Sequence, residues 1–83
     1  MRDRTRIAFG IPAADAGRPF DLAVYDLSGR RVATLESGTA RAGQFSVDWN
    51  RRADRGGPVG GGVYFVRLRV GSQQESRKLV VLP

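Results

Sequence analysis

The 83-residue chain has no cysteine and no histidine. Without cysteine, no disulfide can staple the fold and no thiolate can hold a metal or act as a nucleophile. Without histidine, Ser-His-Asp triads, Cys-His pairs and most zinc sites are excluded. Lysine is nearly absent as well: of the 14 basic residues, all but Lys78 are arginine. No apolar run approaches the ~18 residues of a membrane-spanning helix, so no span is expected. Met1 is followed by Arg2-Asp3-Arg4 and no apolar stretch, so no signal peptide is expected. Helix signals are missing too, because 11 glycines and 4 prolines punctuate every window and both residues break helices.

What remains is a strand pattern. A chain of this length is expected to form one domain, residues 1–83 with a core over about 5–82, and to bury roughly 60–65% of its unfolded surface. The stretch Gly60-Gly61-Gly62-Val63-Tyr64-Phe65-Val66-Arg67-Leu68-Arg69-Val70 carries the strongest signal. Three glycines release the chain from a loop into a run rich in β-branched and aromatic residues. Tyr64, Val66, Leu68 and Val70 share one face at period two and are expected to meet the core; Val63, Phe65, Arg67 and Arg69 share the other, partly wet face. Gly71-Ser72 then turns the chain into a last strand, Gln73 to Leu82.

Four more strands precede this hairpin. Thr5 to Ile11 alternates, with Thr5, Ile7, Phe9 and Ile11 on one side, and ends at Pro12. Ala13 to Pro19 is a loop with room for one helical turn. Phe20 to Tyr25 sets Phe20, Leu22 and Val24 inward against Asp21, Ala23 and Tyr25. In the next turn, Asp26 is expected to accept backbone N–H bonds and Gly29 to take positive φ. Arg31 to Leu35 follows, with Val32 and Leu35 as its apolar contributions, and Glu36 to Gly43 reads as a connection. Gln44 to Trp49 directs Phe45, Val47 and Trp49 inward, the tryptophan being the largest expected core residue. Asn50 to Gly61 is a long loop with Val59 as its apolar anchor. Six strands, close turn signals and no helix imply an all-β antiparallel sandwich or barrel.

Few residues carry chemistry. Asp48, Asn50 and Asp54 offer three potential oxygen-ligand residues in one loop, which a calcium-dependent adhesion module would use; calcium needs 6–8 oxygens, and Arg51, Arg52 and Arg55 oppose a cation. Asp26 and Asp48 are the carboxylates with a chance of pairing for acid–base work, but turn and strand-edge roles explain both, and no enzyme is expected. The net charge of +6 raises a nucleic-acid or anionic-surface reading. Phe65, Arg67 and Arg69 form a candidate anion-binding face, with Tyr25 beside Arg30 and Arg31 as a second; the plain alternative is that arginine stems cover a wet sheet face. The glycines at 56, 57 and 60–62 precede a strand, whereas a phosphate cradle leads into a helix. The final strand carries Arg77 and Lys78 as edge-blunting charges, then Leu79-Val80-Val81-Leu82. With Leu79 and Val81 inward, Val80 and Leu82 are left outside. Arg77, Lys78, Val80 and Leu82 are therefore a candidate protein-interaction face.

The ordered segments VYDLSGRRVATL (24–35), AGQFSVDWN (42–50), GGPVGGGVYFVRLRVG (56–71) and SRKLVVLP (76–83) resemble the immunoglobulin-like domain of the flagellar hook-capping (FlgD) family. They are also similar to the C-terminal sorting domains of bacterial proteins exported by the type IX system. The resemblance rests on Asp26-Gly29-Arg30, Trp49, Gly62-Val63-Tyr64 and Arg77-Lys78-Leu79-Val80-Val81. It implies an Ig-like sandwich of six to seven strands without catalytic residues or cofactor. It further implies a secreted or cell-surface attachment or export-sorting module of a larger protein. Its partner would be export machinery or a neighbouring domain rather than nucleic acid, and its state a monomer or weak dimer. Sorting domains often open on an Asn-Pro motif; Met1-Arg2-Asp3-Arg4 stands there instead.

Overall fold

A computed structural model describes residues 5–82; Met1 to Arg4, where the sorting-domain opening would lie, and Pro83 fall outside the described residues. Six strands form: β1 (Thr5–Ile11), β2 (Pro19–Tyr25), β3 (Arg31–Thr39), β4 (Gly43–Trp49), β5 (Gly62–Val70) and β6 (Gln73–Val81), with one 3-10 turn at Ala13–Asp15. They make a two-stranded sheet, β1-β4, and a four-stranded sheet in the order β3-β2-β5-β6. Every pairing is antiparallel. The result is an Ig-like β-sandwich.

The core lies between the sheets because alternation puts one apolar row of each strand there. The small sheet supplies Ile7, Phe9, Ile11 and Trp49; the large one supplies Leu22, Val24, Ala33, Val66, Val70 and Val81. Leu22 and Val24 are the largest fully buried side chains. At one end Phe9 packs on Phe45 and Phe20, with ring centroids 5.5 and 6.4 Å apart. At the other, Trp49 meets the edge of Tyr64 at 6.2 Å and 71°. The Trp49 indole Nε1 donates to the Arg52 carbonyl at 3.0 Å, and the Tyr64 hydroxyl donates to the Gly60 carbonyl at 2.7 Å. The buried Trp49 and the half-buried Tyr64 thus both satisfy their polar ends.

Three expectations from the sequence need correction. Glu36 to Thr39 belongs to β3, where Phe20 faces Gly38 and Pro19 faces Thr39; main-chain pairing at a wet sheet edge needs no apolar side chain, so the pattern was silent there. Ala33 is buried in β3, with Val32 and Leu35 packed beside the core. Register irregularities at Leu22/Ala23 and Val24/Tyr25 break the simple alternation that would have excluded it. Ala23, on the outward row of β2, is wholly buried, since its opposite neighbour on β5 is the long Arg67 side chain.

Replacing Trp49 with alanine is expected to lower unfolding stability by about 3–5 kcal/mol, as truncating a core aromatic does. Chemical denaturation followed by far-UV circular dichroism measures it. A loss below ~1 kcal/mol would contradict the burial of this indole.

Candidate interaction face

Residues directly opposite one another in a sheet project to the same face. On the large sheet, Arg31 lies opposite Tyr25, Tyr25 opposite Phe65 and Phe65 opposite Lys78. One step along, Ala23 faces Arg67 and Arg67 faces Ser76. Asp21, Arg69 and Gln74 form the next row, and Val63 pairs with Val80 at the strand ends. Phe65, Arg67 and Arg69 therefore share one outer face with Lys78 and Val80. The two separate faces expected from the sequence are a single surface.

Its polar parts are organised around Tyr25. The Arg67 guanidinium lies 4.1 Å from the ring centroid and donates to the phenol oxygen. Arg31 approaches the same ring at 5.5 Å and donates to both carboxylate oxygens of Asp21, at 3.2 and 2.7 Å. The Asp21 hydrogen bonds, with its charge, hold the Arg31 pKa above the usual arginine value. Such stacked, paired arginines stiffen a sheet surface. Beyond this cluster, Val80 is 53% and Leu82 69% exposed. Leu27, in the β2–β3 turn at the same end of the sheet, is 70% exposed. The upper end of the face is thus apolar and the middle basic.

Arg77 departs from this face. It shares the inward row of β6 with Leu79 and Val81, and its guanidinium donates to the Ala8 carbonyl of β1. It ties the two sheets together, while Lys78, Val80 and Leu82 stay outside.

The chain matches the family model of the FlgD Ig-like domain over residues 3–74. It belongs to the FlgD Ig-like domain family. No curated protein and no solved structure matches it, and the resemblance to type IX sorting domains gains no support from these comparisons. The matched residues of this FlgD Ig-like domain end just inside β6, so Lys78, Val80 and Leu82 lie beyond them. The family is a structural, non-enzymatic one.

The other candidate residues of the FlgD Ig-like domain are dispersed. Asp48 bridges to Arg6 at 3.4 Å on the small sheet. Asn50 Oδ1 accepts from the Arg52 N–H at 3.1 Å, an Asx-turn. Asp54 accepts the Thr34 N–H on both oxygens at 3.1 Å, and its own N–H donates to the Val32 carbonyl at 3.0 Å. The three side chains of the candidate calcium loop therefore serve three different neighbours. The Asp54 clamp on β3 was invisible in the sequence, where an aspartate in a glycine-rich loop names no partner. Asp26 and Asp48 are not brought together: Asp26 is in the β2–β3 turn and Asp48 is paired with Arg6 on the small sheet.

Asp26 braces its turn as expected. Its Oδ1 accepts from the Ser28 hydroxyl at 2.7 Å and from the Ser28 and Arg30 N–H groups at 3.0 Å each, while Gly29 takes φ of 90°. The Ser28 hydroxyl first, then the Arg30 N–H, hold the Asp26 carboxyl below its ordinary value of 3.8. A folded pKa below the unfolded one gives stability that is full above the unfolded value and lost as pH falls through the folded one. The melting temperature of wild type should therefore exceed that of Asp26→Ala at pH 7, and the gap should close as pH falls below about 3.8. A gap that stays constant on acidification would contradict the brace.

Proposed function

We propose that the chain is a non-catalytic Ig-like attachment module of a larger extracellular protein associated with the flagellar hook. It acts as a monomer and holds a protein partner on the outer face of its four-stranded sheet. The observation that carries this reading is the continuity of that face. Exposed Val80, opposite Val63, adjoins the Phe65 and Lys78 pair on the same face, and exposed Leu82 follows just past the end of β6, which joins an apolar anchor to a basic surround. Interfaces combine these two features, an apolar centre and a polar rim. Family membership over residues 3–74 favours attachment over export sorting. Nucleic-acid stacking is less favoured, because Arg67 covers one face of Tyr25 and Phe65 is half-buried.

Val80→Ser combined with Leu82→Ser should leave the fold intact, since exposed substitutions usually change stability by within about 0.5 kcal/mol. In the full-length exported parent, this variant should reach the cell exterior normally but co-sediment poorly with isolated hooks. Quantitative immunoblotting of supernatant and hook fractions measures both. Failure to leave the cell would support sorting instead, and unchanged co-sedimentation would overturn attachment through this face.

A further inference from the structure

The four-stranded sheet ends in two edges, β3 and β6, and they are treated differently. The first half of the β3 edge is guarded. The 50s loop lies along it, with Asp54 accepting the Thr34 N–H and donating its own N–H to Val32, much as a partner strand would. Among the described residues β6 has no such guard: its main chain makes no hydrogen bond outside the β5 ladder, and seven of its nine residues are exposed. An unguarded edge of this length presents a row of N–H and C=O groups that an added strand can satisfy.

The side chains around the edge select what can be added. The outer row of β6 holds Gln74, Ser76, Lys78 and Val80, and the row beside it on β5 holds Val63, Phe65, Arg67 and Arg69. These two rows carry three cations and no carboxylate. The inner row of β6 closes on Leu79 and Val81, the second buried and the first half-buried. A second copy is a poor occupant: two full-length β6 strands paired about a two-fold axis perpendicular to the sheet meet at their central residue, Arg77. Like charges then stand opposite each other, which destabilises the pairing.

We propose that β6 accepts an extended acidic segment of a partner protein as a fifth strand. Its acidic residues lie beside Lys78 on the outer face, and its alternate, apolar residues lie beside Leu79 and Val81. The proposal rests on the attachment reading above and names the chemistry of the partner. Main-chain hydrogen bonds to β6 supply the docking, and the basic row supplies the selection for acid.

The full chain, labelled with nitrogen-15, would be titrated at about 0.15 M salt with three probes. These are the peptide Glu-Val-Glu-Thr-Glu-Val-Glu, its lysine counterpart Lys-Val-Lys-Thr-Lys-Val-Lys, and single-stranded oligothymidylate. The acidic peptide should bind, slow hydrogen exchange at alternate β6 amides and leave β3 unchanged, while the lysine peptide should not bind. Arg69→Glu combined with Lys78→Glu should weaken the acidic peptide at least tenfold without changing the melting temperature by more than a few degrees. The proposal is overturned by equal binding of both peptides, by no binding of the acidic one, or by protection that maps to β1, β3 or β4. It is also overturned by tighter binding of oligothymidylate centred on Phe65, or by a β6-mediated dimer in sedimentation. Loss of hook co-sedimentation in the Val80→Ser, Leu82→Ser parent without acidic-peptide binding would leave face attachment standing and remove strand addition alone.

Discussion

Trp49 is the constraint on which the rest of the molecule depends. It closes β4, the second strand of a sheet that has two among the described residues, and it is 2% exposed. A two-stranded sheet is marginal alone and needs a hydrophobic face to lean on. Trp49 provides the largest part of that face, reaching across the sandwich to Tyr64 at the start of β5. Its indole N–H also fixes the loop that follows, through the Arg52 carbonyl. Arg51 takes φ of 61° there, an uncommon backbone state for a side-chain-bearing residue, and its carbonyl accepts from Val59 at 2.9 Å. The loop folds back on itself through the Arg52 and Pro58 bridge before entering β5.

The consequence reaches the far side of the large sheet. A loop held at Arg52 delivers Asp54 to the β3 edge two residues later. Asp54 then occupies the hydrogen-bonding positions at Val32 and Thr34 that a foreign strand would need. The anchoring of one tryptophan thus supports the loop that covers the first half of the β3 edge. The other edge owes its openness to β6 being last in the order: among the described residues, only β5 lies beside it. Arg77, crossing to Ala8 of β1, braces the gap between the sheets without covering the β6 main chain.

All six strands were legible in the sequence, because period-two alternation reports directly on a sheet with one dry face. So were the Asp26 turn, the inward row of Trp49 and the outward placement of Val80 and Leu82. The second half of β3 was not, since Glu36-Ser37-Gly38-Thr39 pairs through its backbone at a wet edge and leaves no apolar trace. Ala33 escaped because register irregularities interrupt the alternation that locates core residues. The candidate interaction face was half legible. Phe65, Arg67 and Arg69 on one strand, and Lys78, Val80 and Leu82 on the next, were each visible. Their union depends on the register that sets Phe65 opposite Lys78. The stacking of Arg67 on Tyr25 links residues 42 apart in the chain, so strand order had to be known before it could be seen. Arg77 looked like a neighbour of Lys78 in sequence, but adjacent strand residues point to opposite faces.

Native-state hydrogen exchange of the free chain, read residue by residue, tests the account most directly, because it asks whether one edge is closed and the other open. The Thr34 and Asp54 amides should exchange slowly, at rates set by opening of the Trp49-anchored loop. Alternate β6 amides, those not paired to β5, should exchange close to the rate of an unstructured peptide. Fast exchange at Thr34 and Asp54, or uniform protection along β6, would contradict it.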